Sequence, residues 1–189
     1  MNKIYIVFSY TGTLFSKFIK LFINEKYVHV SISLDKNLTR IYSFGRQNPK
    51  HILPSGFVEE KIDLINKIFK NSICQIYELE VDSKKYNLLL QEIQKYRDTK
   101  DLYKYNVIGL PFIHFNKVFH REYHYVCSQF VGKIIKDTNI WDFKKDYSLV
   151  KPMDLRKIDG FTLLYEGKIN DYLKYNLQGE KNERYTKCL

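Results

Sequence analysis

Tyr27-Val28-His29-Val30-Ser31-Ile32-Ser33-Leu34 alternates strictly, with Val28, Val30, Ile32 and Leu34 on one side and Tyr27, His29, Ser31 and Ser33 on the other. Period-two alternation marks a strand, here over 27–34. The two serines are small, so another element can pack close on the histidine's side. Far along the chain, Tyr125-Val126-Cys127-Ser128-Gln129-Phe130-Val131 opens a different pattern. Cys127, Phe130, Val131, Ile134 and Ile135 recur at the spacing of one helix face. That spacing predicts a helix over 127–138 with its thiol in the first turn, on the packed side. A histidine on a strand, followed by a cysteine at a helix start, decides how the rest of the chain is read.

Outward from the histidine strand, Asp35-Lys36-Asn37 predicts a turn and Arg40-Ile41-Tyr42-Ser43-Phe44-Gly45 the partner strand of a hairpin. If His29 lies opposite Ser43, the turn centres on Lys36, and the two side chains share a face. A slip of one residue replaces Ser43 with Tyr42 or Phe44. Residues 3–9 read as the first strand, with Ile4, Ile6 and Phe8 on one face. Thr13 is placed to cap a helix over 14–24, whose stripe of Leu14, Phe15, Phe18, Leu21 and Phe22 is expected in the core. Pro49, Pro54 and Gly56 predict a loop over 46–56, and 57–70 is expected to be partly helical. A strand over 74–81 and a helix over 84–98, capped by Asp82 or Ser83, follow. A short helix within 101–113 and a last strand over 161–166 complete an α+β chain. The expected organisation is one domain over 1–173 and a polar tail over 174–189.

Composition narrows the functional classes. An apolar share of 44% is ample for a packed core and argues against disorder. No apolar run reaches the roughly 20 residues that span a bilayer. The N-terminal segment lacks the pattern of a secretory signal, so a cytoplasmic protein is expected. Cys74, Cys127 and Cys188 form no disulfide framework, and without a C-x-x-C or a tight His/Cys cluster neither a metal nor another cofactor is expected. The net charge of +10 comes mostly from lysine, spread along the chain. Base and phosphate recognition favours arginine, so no specific nucleic-acid partner is expected. Weak association with an anionic membrane surface fits the charge better.

The chemistry the pattern supports is nucleophilic. The thiolate is the attacking form of cysteine, and both a helix N-terminus and a neighbouring imidazolium favour it. Cys127 is therefore the candidate nucleophile and His29 the candidate base, with His124 as the alternative base. The backbone N–H of Cys127 can donate to an oxyanion, because first-turn amides lack helical partners. Tyr27 and Tyr5 are candidate side-chain donors. Ser43 is the candidate group to orient the imidazole.

These segments resemble the circularly permuted branch of the NlpC-type papain-like hydrolases, which includes YiiX-like proteins and relatives of lecithin:retinol acyltransferase. The resemblance rests on His29-Val30-Ser31-Ile32, then Tyr105-Asn106, then Tyr125-Val126-Cys127-Ser128-Gln129-Phe130-Val131, then Pro152-Met153-Asp154-Leu155, in that order over residues 3–166. It implies a papain-like α+β fold, with the cysteine helix on one face of an antiparallel sheet and the histidine strand first. It also implies Cys127 as nucleophile and His29 as base. The family usually has His, Glu, Asn or Gln in the orienting role, so Ser43 departs from its pattern. The expected function is a thiol hydrolase cleaving an amide, peptide or related acyl bond. A lipid-directed acyltransferase or lipase and a non-catalytic binding module are the alternatives, and the substrate is a small molecule, peptide or lipid.

Overall fold

The computed structural model describes residues 1–48, 54–68 and 70–176. Pro49, His51, Cys188 and the tail beyond residue 176 lie outside the described residues. In chain order the elements are β1 (Asn2–Tyr10), α1 (Leu14–Lys20), β2 (His29–Ser33), β3 (Ile41–Arg46), β4 (Ser55–Glu59), α2 (Ile62–Ile68), β5 (Ile73–Val81) and α3 (Ser83–Asp98). They continue with β6 (Lys104–Tyr105), α4 (Gly109–His114), β7 (His124–Tyr125), α5 (Cys127–Asp137), α6 (Pro152–Leu155) and β8 (Thr162–Lys168). Residues 169–176 are helical.

Among the described residues, six strands form one antiparallel sheet in the order β4-β3-β2-β1-β5-β8. β6 and β7 form a separate parallel pair, Lys104 beside His124 and Tyr105 beside Tyr125. The chain is α+β.

The strand alternation sorts side chains to two cores. Ile4, Ile6, Phe8, Val28, Val30 and Ile32 face α3, α4 and α5, packing against Leu89, Ile93, Leu110, Phe130 and Ile134. Tyr5, Val7, Ile41 and Ile76 face the other way, toward Ile62 of α2 and Ile169 and Tyr172 of the last helix. With both faces covered, a one-residue slip of any central strand exchanges two buried sets, which pins the register.

Local chemistry sets the helix starts. Thr13 Oγ1 accepts the Ser16 N–H at 3.2 Å to open α1. Asp82, not Ser83, caps α3, accepting the Lys85 N–H at 2.9 Å. Asp154 accepts the Lys151 N–H at 2.8 Å behind Pro152 and so opens α6.

Three expectations change. The stretch expected to be loop and partial helix contains β4, an edge strand paired along β3 from Tyr42–Glu59 to Arg46–Ser55. The hairpin pairs Ile32 with Tyr42 and Ser33 with Ile41. Extended along the strands, that register puts Gly45 opposite His29 and Ser43 opposite Ser31. The slip is two residues, so Ser43 keeps its face but loses its place. Finally, α1 ends at Lys20, and its Leu14, Phe18 and Leu21 point to solvent, whereas Ser16 and Ile19 face inward.

α5 lies across β2 and β3. Its seat is aromatic: the Phe130 ring lies 5.2 Å from Phe44, 5.7 Å from Phe57 and 5.0 Å from Tyr96, centroid to centroid. Ser128 Oγ donates to the Val150 carbonyl at 2.7 Å. Gln129 accepts the Val126 N–H at 3.0 Å and donates to the Ser148 carbonyl at 2.9 Å. The Cys-Ser-Gln run thus fixes the helix start against residues 148–150. Phe130→Ala should cost about 3–5 kcal/mol of stability, as large-to-small changes of buried aromatics do. Chemical denaturation would read this as a lowered midpoint with an unchanged slope.

Candidate active site

Cys127 and His29 meet where both their elements begin. Cys127 is the first residue of α5 and His29 the first of β2. The thiol is buried, and its Sγ lies 3.8 Å from the Val28 carbonyl oxygen, its hydrogen-bond acceptor. Its proximity also favours the protonated form of the His29 ring. The structure therefore brings together the two residues singled out in the sequence.

The orienting position belongs to Glu60, immediately after β4. Its Oε1 accepts from His29 Nε2 at 2.7 Å and from Ser31 Oγ at 2.6 Å. Ser31 Oγ lies 3.2 Å from the same ring nitrogen. With Nε2 committed to Glu60, Nδ1 is left as the nitrogen to serve the thiol. Ser43 is displaced from the orienting role: its buried Oγ makes no hydrogen bond, although its hydroxyl helps to hold the Glu60 carboxyl down. Gly45 stands where Ser43 was expected. A Cβ built there would lie 3.6 Å from His29 Cε1, so anything beyond a methyl group would press on the ring.

The electrostatics are those of a buried charge pair. The Glu60 side chain is 8% exposed and that of His29 24%. Burial alone would push the imidazole down; the Glu60 carboxylate, the thiol and their hydrogen bonds outweigh it and hold His29 up at about 10. Burial alone would likewise raise the Glu60 carboxyl. The His29 charge, the hydrogen bonds from His29 and Ser31, and the nearby Ser43 hydroxyl bring it below its usual value.

The expected oxyanion donors lie elsewhere. Tyr27 is buried, but its hydroxyl donates to Glu166 Oε1 at 2.7 Å. Tyr5 belongs to the second core and is pushed up to about 12 by burial, then by Glu78 and Asp35. Tyr105 takes the place by the sulfur. Its hydroxyl is buried with no hydrogen-bond partner, and its titration is raised first by burial and then by Cys127. The parallel pairing of β6 with β7 delivers it, setting Tyr105 beside Tyr125, two residues before the thiol. Asn106 secures the turn that follows, accepting the Gly109 N–H at 3.0 Å.

His124 points away, its Nδ1 2.6 Å from the Glu122 carbonyl oxygen. Cys74 is buried in the second core and pushed up to about 12 by burial and then Glu166, which makes it inert at neutral pH. No group of three or more His, Cys, Asp or Glu among the described residues is placed to hold a metal ion. A pocket opens over the His29 ring, lined also by Glu60, Gly45, Thr13, Phe15 and Ser16.

Comparison of the chain with protein-family models, with curated proteins and with solved structures gives no match.

The buried pair makes stability pH-dependent on two sides. His29 holds its proton more tightly folded than unfolded. Its contribution is complete below its ordinary value of 6.5 and is lost as pH rises through about 10. The carboxyl of Glu60 is lowered, so its contribution is present above its ordinary 4.5 and lost as pH falls through the folded value. Thermal melts of the wild type should therefore decline toward both extremes. In the double variant His29→Ala/Glu60→Ala both limbs should flatten.

Proposed function

We propose that this protein is a thiol hydrolase of papain-like type, cleaving an amide, peptide or related acyl bond through a covalent acyl-enzyme. The carrying observation is the shared imidazole: Glu60 on Nε2 at 2.7 Å and the Cys127 thiol acting on the same ring. That order of thiol, imidazole and orienting group is what nucleophilic cysteine chemistry requires. A glutamate as orienting group also suits the permuted NlpC-type resemblance better than a serine does. The histidine strand preceding the cysteine helix supports the same assignment.

In this reading the imidazole already carries its proton on Nδ1, and the Cys127 sulfur attacks the carbonyl carbon of the substrate as the thiolate. The carbonyl electron pair moves onto oxygen. The donors assigned to it are the Cys127 backbone N–H at the helix start and the Tyr105 hydroxyl, which is buried without a hydrogen-bond partner. Collapse of the adduct breaks the bond to the leaving group, which takes the proton from Nδ1 and departs. A thioester on Cys127 remains. Water then loses a proton to His29 and attacks the thioester; the acid is released and the thiolate restored. Glu60 keeps the ring oriented throughout and offsets its positive charge.

An iodoacetamide-type probe tests the reading. Labelling should map to Cys127 at neutral pH and fall at least tenfold in His29→Ala. An unreactive Cys127 would turn the assignment toward a binding module. The dependence on pH tests Glu60 separately. The alkaline limb of labelling should lie near pH 10, where His29 loses its proton. In Glu60→Gln burial acts without its counterweight, so that limb should move to lower pH by more than a unit.

A further inference from the structure

We infer that the face built by α1 and the segment around α4 docks on an anionic bilayer, bringing the mouth of the pocket to the membrane surface. This goes beyond the hydrolase reading and does not need it.

The observation is an apolar stripe that faces outward. Leu14, Lys17, Phe18 and Leu21 recur at i, i+3, i+4 and i+7 and are all exposed, Leu14 at 81% and Leu21 at 74%. Ile19 and Ile23 hold the helix to the core from the other side. The neighbouring segment repeats the arrangement, with Ile108, Phe115 (70% exposed) and Val118 projecting. The two segments touch: the Phe15 and Tyr105 rings are 5.5 Å apart, and His114 Nδ1 lies 2.9 Å from the Phe22 carbonyl oxygen. They form one surface, and Thr13, Phe15 and Ser16 carry it to the rim of the His29 pocket.

Charge selects the occupant. Residues 10–24 and 102–121 contain no Asp or Glu, in a chain that has 21 of them. The same two segments hold Lys17, Lys20, Lys104, Lys117 and Arg121, of which the lysines and Arg121 are exposed. Projecting apolar side chains among cations, on segments that carry no Asp or Glu of their own, match an interface that is apolar inside and negatively charged outside. A second copy of this chain would bring the same cations against one another, which favours the bilayer over self-association.

Co-sedimentation with vesicles of equal parts phosphatidylcholine and phosphatidylglycerol tests this. The wild type should bind them, and phosphatidylcholine vesicles at least tenfold less. Binding should weaken as salt shortens the Debye length from about 10 Å to about 3 Å. Leu14→Ser/Leu21→Ser should lose about tenfold or more in partitioning, and Lys17→Gln/Lys20→Gln about fivefold for each lysine. These positions are exposed, so circular dichroism should report an unchanged fold. Lys84→Gln/Lys85→Gln, at the Asn2 end of β1 where Ser83 meets Asn2, should bind like the wild type. So should Cys127→Ala, which separates docking from catalysis. Equal binding to neutral vesicles, no binding to anionic ones, or insensitivity to the α1 variants would overturn the inference. So would a dimer in sedimentation equilibrium that Leu14→Ser/Leu21→Ser dissolves, since that assigns the face to a second copy.

Discussion

The site depends on one contact, the carboxylate of Glu60 held against the imidazole of His29 inside the protein. Removing both groups from water is costly, and a buried pair persists only if geometry and further hydrogen bonds make up the difference. Here Ser31 supplies a donor to the carboxylate, and Ser43 lies near enough to favour its charged form. The composition of β2 and β3 follows from that need. Serines at 31 and 43 and glycine at 45 leave the volume the ring and carboxylate occupy, and the hydroxyls add polarity without bulk.

The sheet explains how a polar cluster can sit in a structure covered on both faces. Val28, Val30 and Ile32 go to the core beneath α5, while His29 and Ser31 share the opposite side with Val7 and Ser9. The thiol nevertheless reaches the imidazole, because Cys127 and His29 each stand at the first position of their element. The contact of Cys127 Sγ with the Val28 carbonyl marks that crossing point. A thiol one turn further along α5 would lie over the middle of the strand, with the backbone between it and the ring. The Ser128 and Gln129 hydrogen bonds to residues 148–150 are thus part of the site's geometry, since they set where the helix starts.

Strict alternation in 27–34 and helical spacing from Cys127 made the two central elements legible, and with them the thiol and the imidazole. Glu60 was not legible. It follows an edge strand, Ser55–Glu59, that comes after a Pro- and Gly-rich stretch and carries too short a pattern to separate strand from helix. The hairpin register failed by two residues because a turn with several polar candidates does not locate its own centre; an even error preserved the face and hid itself. Alternation set Tyr27 and Tyr5 on the histidine's side, yet Tyr27 precedes β2 and packs in the first core, and only Tyr5 belongs to the second. Their hydroxyls end at Glu166 and near Glu78. The usable sign for Tyr105 was the Tyr-Asn pair itself, whose role emerges only from the parallel pairing of two-residue strands. On α1 both Leu14-Phe18-Leu21 and Phe15-Ile19-Phe22 satisfy helical spacing, so composition alone left open which stripe faces in.

The identity of the orienting residue decides what the histidine is at rest. With a neutral serine at that position, burial would dominate and leave a neutral ring, a base awaiting a proton. With Glu60 the ring stays protonated up to about pH 10; in the proposed hydrolase the resting imidazole would be an acid already charged for the leaving group. Catalysis of acyl transfer needs both roles in sequence, and the carboxylate shifts the balance toward the second. The same carboxylate cancels the ring's charge within the pocket, whereas Lys17, Lys20, Lys104, Lys117 and Arg121 are exposed. The proposed chemistry sits on a buried, internally neutralised pair and the proposed docking on an outer face, so each would respond to its own perturbation: pH and Glu60 for the first, ionic strength and α1 for the second.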